Sequence, residues 1–229
     1  MHIPDGFLSA EVAGATALAA GAAVGYGLRT ASHTLDERRV PLLGVTGAFI
    51  FAAQMLNFPV AGGTSGHFLG AALAAILLGP RLASLTMAVV IALQAFVFAD
   101  GGITALGANV LNMGVIGALV VGGLMLATRR ALPKSRTALL AIIAVGAWLA
   151  VMAGATATAI ELALSGTVPL GTVLPAMLGV HALIGIGEAV VTAAAVAAVL
   201  AARPDLIAVR DLTDAELTLP AHALEGGLR

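Results

Sequence analysis

Long apolar runs, broken by short polar or Gly/Pro-rich stretches, dominate the chain. They cover residues 7–28, 40–58, 67–78, 83–99, 104–128, 137–164 and 173–202. Crossing a bilayer takes about 20 apolar residues as a helix, so the 67–78 run is short and needs support from its neighbours. Between the second and third runs lies Phe58-Pro59-Val60-Ala61-Gly62-Gly63-Thr64-Ser65-Gly66, rich in glycine and without charge. Irregular backbone at membrane depth survives only where protein buries it or it lines a cavity, so this loop is expected to fold inward. The pattern predicts an all-α polytopic membrane bundle of seven transmembrane helices. Residues 1–203 form one transmembrane domain and residues 204–229 a short cytoplasmic tail.

Composition agrees with that reading. Of 229 residues, 60% are hydrophobic and only 10% charged, against roughly a quarter charged in soluble domains; mean hydropathy is +1.05. The 28 glycines and the alanine runs let helices approach closely where lipid gives no hydrophobic drive to pack. No cysteine is present, which excludes a disulfide, a thiolate metal site and a cysteine nucleophile. A net charge of −1 gives no sign of a nucleic-acid partner. No Walker motif or useful internal repeat occurs, so energy for any transport must come from a partner or an ion gradient.

Charge placement orients the bundle. With the N-terminus outside, the inner segments are 29–39, 79–82, 129–136 and the tail, and all 11 Lys and Arg residues fall there, as the positive-inside rule requires. No Lys or Arg precedes Arg29, so the start does not read as a cleavable signal peptide. Met1 is therefore expected to be the mature terminus, on the extracytoplasmic side of a prokaryotic inner (plasma) membrane.

That terminus reads Met1-His2-Ile3-Pro4-Asp5-Gly6. The α-amine of Met1, the backbone nitrogen of His2 and the His2 Nδ1 can close a five- and a six-membered ring around a metal ion. Three in-plane nitrogens suit Ni(II), Cu(II) or low-spin Co(II) better than tetrahedral Zn(II). The competing reading is an incidental histidine at a loose end, but Pro4, Asp5 and Gly6 predict a turn that tucks the peptide in. His67 follows the glycine-rich loop on the same side and is either a fourth nitrogen or a satisfied core histidine.

The other polar residues inside or beside the runs are weighed one by one, since a charge within a span is costly and marks a functional candidate. Asp100, before Gly101-Gly102, either neutralises charge near a metal or is an interfacial turn residue. Asn109 and Asn112, three apart on one helical face, are expected to bond across helices or brace the N-terminal loop. His181 and Glu188 are two turns apart on the last run; they lack further ligands at their depth, which favours interhelical hydrogen bonds or contact with a transmembrane partner. Glu161 reads as an interfacial charge, while Asp5 and Ser65 stand beside the two histidines as supporting polar groups.

The same residues carry a resemblance. Met-His-Ile-Pro-Asp-Gly at 1–6, Gly63-Thr64-Ser65-Gly66-His67, Phe98-Ala99-Asp100-Gly101-Gly102, Gly107-Ala108-Asn109-Val110-Leu111-Asn112-Met113-Gly114 and the 181–188 stretch from His181 to Glu188 resemble the CbiM/NikM proteins. These are substrate-capture components of energy-coupling-factor cobalt and nickel importers. The resemblance implies Ni(II) or Co(II) as transported ligand, held by the Met1 amine, the His2 backbone and imidazole nitrogens, and His67, with no resident cofactor and no enzymatic activity of the chain's own. It also implies a transmembrane coupling partner, cytoplasmic ABC-type ATPases and often a small two-span auxiliary protein. Gly66 departs from the pattern, which has alanine before the histidine. Cobalamin synthesis is one pathway such a protein serves.

Two rival readings belong to other classes. An ion-coupled secondary metal carrier would work without an ATPase. Gly63-Thr64-Ser65-Gly66 also fits the Gly-x-Ser-Gly pattern of rhomboid-type intramembrane proteases, with His181 as base to a Ser65 nucleophile, but that leaves the opening hexapeptide unexplained.

Overall fold

The computed structural model describes residues 1–35, 39–56, 58–60, 64–128 and 135–208; the tail beyond 208 and Lys134, with Arg129 and Arg130, lie outside the described residues. The helices are α1 (Ala10–Thr34), α2 (Arg39–Gln54), α3 (Ala71–Leu78), α4 (Pro80–Phe98), α5 (Leu106–Val110), α6 (Gly117–Thr128), α7 (Arg136–Leu164) and α8 (Leu170–Ala202), with a π-helical stretch, Leu111–Ile116, joining α5 to α6. The glycine-rich loop contributes two short antiparallel strands, β1 (Phe58–Val60) and β2 (Thr64–Gly66), with Phe58 opposite Gly66. Among the described residues this hairpin is the departure from an all-helical chain.

The seven apolar runs all reappear as helical stretches, but not all with crossing length. Among the described residues, four are long and apolar enough to span a membrane: Pro80–Phe98, Leu106–Thr128, Arg136–Leu164 and Leu170–Ala202; Arg39–Gln54 is a shorter apolar helix. The short third run shrinks further to the eight residues of α3, every one of them buried. Residues 67–70 before it stay irregular, with Gly70 at φ 80°, and only Gly79 separates α3 from α4. That glycine also has a positive φ of 80°, open to glycine at little cost, and Pro80 starts the next helix, where a missing N–H costs nothing. The expected 79–82 loop is thus a single-residue corner.

α8 has the inside-out pattern of a helix in lipid. Its buried stripe, Val173, Met177, His181, Gly185, Glu188, Thr192 and Val196, recurs every three or four residues and carries the polar groups. Leu183, Ile186 and Val190 are exposed on the other side. α8 lies along α7, and Trp148 fits against Gly185, where a Cβ would stand 2.8 Å from the indole Cδ1. α4 is central, touching α1, α2, α3, α5, α6 and the π stretch.

The two ends of the bundle have different characters. At one end Arg81 lies over the Tyr26 ring, 5.0 Å from its centroid, and Arg136 donates to the Ala197 carbonyl at 2.6 Å. These contacts bring the start of α4 beside the end of α1, and the start of α7 beside the end of α8. At the other end, Asp5 accepts from the Thr104 backbone and hydroxyl at 2.7 and 2.6 Å, and Thr167 Oγ1 donates to the Phe7 carbonyl. The N-terminal peptide enters the bundle from this second end.

Candidate metal centre

Residues 1–3 are drawn into the interior: Met1 and Ile3 are fully buried and His2 nearly so. Glycines make the room. A Cβ on Gly102 would collide with the backbone of Asp5 and Pro4, and one on Gly154 would come within 3.0 Å of the Met1 methyl. Gly101, at φ 94°, would press a Cβ to 3.0 Å from both His2 Cδ2 and Asn109 Nδ2. The peptide is then stitched in place. Gly102 N–H donates to Ile3 O at 2.8 Å, while Asn109 accepts from Ile3 N–H at 2.8 Å and donates to Ile3 O at 3.1 Å. Asn109 therefore braces the N-terminal loop.

Met1, His2 and His67 meet although 66 positions separate the first and last. The Met1 nitrogen is 3.2 Å from His67 Nε2, and the His2 and His67 rings stack with centroids 4.7 Å apart. His67 Nδ1 lies 2.7 Å from the Phe68 carbonyl. A carbonyl only accepts, so Nδ1 carries the hydrogen and Nε2 offers its lone pair to the amine.

Burial, opposed in part by Asp100, lowers the Met1 amine to about 5. It is therefore neutral at pH 7 and has a lone pair of its own. Burial, reinforced by that amine, likewise lowers His2 to about 4. His2 Nδ1 stands 3.3 Å from Asp100 Oδ1. That approach would be an ion pair only with a protonated ring; for the neutral ring, Nδ1 is a buried atom with no hydrogen-bond partner. A ring nitrogen and a carboxylate oxygen thus face the same space.

The remaining expected residues separate. Asp5 is exposed, and its Thr104 bonds hold its carboxyl below the usual range. Ser65 belongs to β2, with its side chain outside what is described. Asn112 turns away from Asn109 and donates to Thr158 Oγ1 at 3.2 Å and Glu161 Oε2 at 2.6 Å. The π-helical stretch, which begins between the two asparagines at Leu111, gives them different partners; such wide turns are common at functional sites. Glu188 accepts from Leu69 N–H and Gly70 N–H, both at 2.8 Å, so it ties α8 not to another helix but to the irregular segment behind His67. His181 bonds its own helix, Nδ1 to Met177 O at 2.8 Å, and its Nε2 is a buried atom without a hydrogen-bond partner. His181 and Glu188 do not join in one cluster.

Two residues were not anticipated: Gln94, whose Oε1 is 3.1 Å from His2 Nε2, and Gln54, whose Oε1 accepts from Gln94 Nε2 at 2.9 Å. The available signal was one glutamine in each of two largely apolar runs, both buried. Among the described residues no three His, Cys, Asp or Glu side chains converge as a metal cage. The donors that do converge are two imidazoles and the chain's own first nitrogen.

Residues 2–206 match the CbiM family model, described as the cobalt uptake substrate-specific transmembrane region. A putative metal transport protein of Haloquadratum walsbyi is 44% identical over 209 residues, 90% of this chain and 93% of that one. A putative fused nickel transport protein, NikMN, of Archaeoglobus fulgidus is also 44% identical over 209 residues, covering 90% of this chain and 68% of that one. The solved structure of a transition metal transporter, 32% identical, superposes with a TM-score of 0.80 over 96% of this chain and all of that one. A truncated transition metal transporter gives the same score at 35% identity, over 88% and 99%. The chain belongs to the CbiM family of cobalt-uptake substrate-specific transmembrane proteins.

Proposed function

We propose that this protein is the metal-capturing membrane subunit of an ATP-driven importer for Ni(II) or Co(II). The ion is taken by four nitrogens: the Met1 amine, the His2 backbone nitrogen, His2 Nδ1 and His67 Nε2. The observation that carries the reading is His2 Nδ1, buried without a hydrogen-bond partner and 3.3 Å from a carboxylate. With the ring hydrogen on Nε2, Nδ1 and the carboxylate are two acceptors facing each other, and a cation held by the nitrogens offsets their repulsion.

The spacing of the other donors agrees. Metal–imidazole bonds are about 2.0 Å, so adjacent corners of a square are about 2.8 Å apart. Met1 and His2 can fill three corners, and the fourth is next to the amine, where His67 Nε2 is 3.2 Å away. Planar geometry, not raw affinity, would then select the ion, since affinity alone favours Cu(II).

In the cell we place the N-terminus and the 58–66 hairpin on the outer face of the plasma membrane and the arginine-bearing end inside, with seven helices in the membrane domain (1–203) and the 204–229 tail cytoplasmic. The hairpin, which packs against α8, closes over the loaded site. A transmembrane coupling protein and cytoplasmic ABC-type ATPases, with a small two-span auxiliary protein in some systems, drive the loaded subunit to open inward. Relatives named for nickel and for cobalt transport both match the chain, so either ion is a reasonable first probe.

Titration of the purified protein with Ni(II) tests the site. Wild type should bind one ion with the d–d band of a planar nitrogen complex. His67→Ala should weaken binding by more than about 100-fold, beyond what is lost when a group that only orients a ligand is removed. An unchanged band and affinity in His67→Ala would refute the ligand set. Metal uptake by cells lacking the ATPase partner would refute the ATP-driven reading.

A further inference from the structure

The hydrogen bonds behind His2 have a direction that can be read from their far end. Gln54 Nε2 lies against the Leu69 carbonyl oxygen. That oxygen can only accept, so Gln54 must present its amide nitrogen there and its Oε1 to Gln94. Gln94 Nε2 donates to that Oε1 at 2.9 Å, which leaves Gln94 Oε1 facing His2 Nε2 at 3.1 Å. An amide oxygen only accepts, so His2 Nε2 carries the hydrogen. Turning either amide over would set oxygen against oxygen in a buried place, since Gln54 and Gln94 are both fully buried.

Asp100 pulls the other way. Its carboxylate is 3.3 Å from His2 Nδ1 and would hold a hydrogen placed on that atom. A hydrogen on Nδ1 would block the chelate. The far end of the ladder is itself anchored: Leu69 and Gly70 donate their backbone N–H groups to Glu188 of α8, and Leu69 is two residues beyond His67.

We propose that Gln54 and Gln94 are positioning residues for metal capture: a two-amide ladder that keeps the His2 hydrogen on Nε2, against Asp100, and so frees Nδ1 for the ion. The proposal rests on the four-nitrogen reading for its consequence, though not for the tautomer itself. Neither glutamine touches the ion, and each acts through His2.

Protein labelled with ¹⁵N at histidine, metal-free in nanodiscs, reports the hydrogen's place by NMR, with His2→Ala identifying the ring. Wild type should show Nε2 protonated and Nδ1 bare. Gln94→Leu should move the hydrogen to Nδ1, and Gln54→Leu should shift it the same way by letting Gln94 turn over. Both should lose about 10- to 100-fold in Ni(II) affinity, while Gln94→Glu, an acceptor toward Nε2 that Gln54 meets by turning its own amide nitrogen away from Leu69, should keep the tautomer. Loss of a merely structural contact would not move the tautomer. A wild-type ring protonated at Nδ1, or leucine variants unchanged in tautomer and affinity, would overturn the proposal. Should a leucine variant fail to fold, Gln94→Glu decides, because Nδ1–H there is equally fatal. A wild type with Nε2–H that binds neither Ni(II) nor Co(II) would sink the metal site while leaving the tautomer assignment intact.

Discussion

At the scale of single residues, burial makes ordinary groups unusual. An α-amine ordinarily titrates near 8, but burial lowers that of Met1 to about 5, and His2 falls to about 4. At pH 7 both are already neutral, so planar binding should release only the His2 backbone proton, one per ion. Affinity should then rise about tenfold per pH unit between roughly pH 6 and 8, and fall more steeply below about 5, where the amine must also lose a proton. An amine of ordinary pKa would bring the release at pH 7 close to two. Calorimetric titration in buffers of different ionisation enthalpy counts these protons. Metal-free stability follows the same sign. The unfolded chain binds more protons at the amine between about pH 5 and 8, so stability should rise with pH through that window and be lost as pH falls.

At the scale of elements, glycines and one π-helical stretch decide where the donors stand. The strand hairpin and the irregular 67–70 segment deliver His67; Asn109 and Gly102 hold the N-terminal peptide against it. Gly102→Ala would drive a Cβ into the Pro4–Asp5 backbone, which cannot swing aside as a flexible side chain can. The variant alters no donor, yet it should cost Ni(II) affinity as severely as loss of a ligand while leaving the helix content by circular dichroism at the wild-type value. Retained binding in Gly102→Ala would mean that the peptide is not held as described. Gly154 plays the matching part on α7, where the Met1 side chain fills the space a Cβ would take. Met1 is thus anchored by its side chain while its buried amine faces His67.

At the scale of the whole molecule, hydrophobic runs carried the architecture legibly, since each expected run is a helical stretch. Their lengths did not carry the crossing count, because α3 is short and sheltered by its neighbours, and its corner at Gly79 depends on a backbone torsion no hydropathy pattern reports. The candidate ligands were legible because the chelate is contiguous in sequence and His67 adjoins a distinctive loop. Gln54 and Gln94 were not, since an isolated amide in an apolar run gives no hint of its partner 40 positions away. Asn109 and Asn112 were read as one face and serve two, because the π-helical stretch that begins at Leu111 and includes Asn112 changes the angular register. The central claim is that the first nitrogen of the chain is a metal ligand. Its most direct test is a Ni(II) titration of a variant lengthened by one residue before Met1, beside wild type in the same nanodiscs. The lengthened protein should keep its fold and lose both tight binding and the planar d–d band; equal affinity with the same band would contradict the claim.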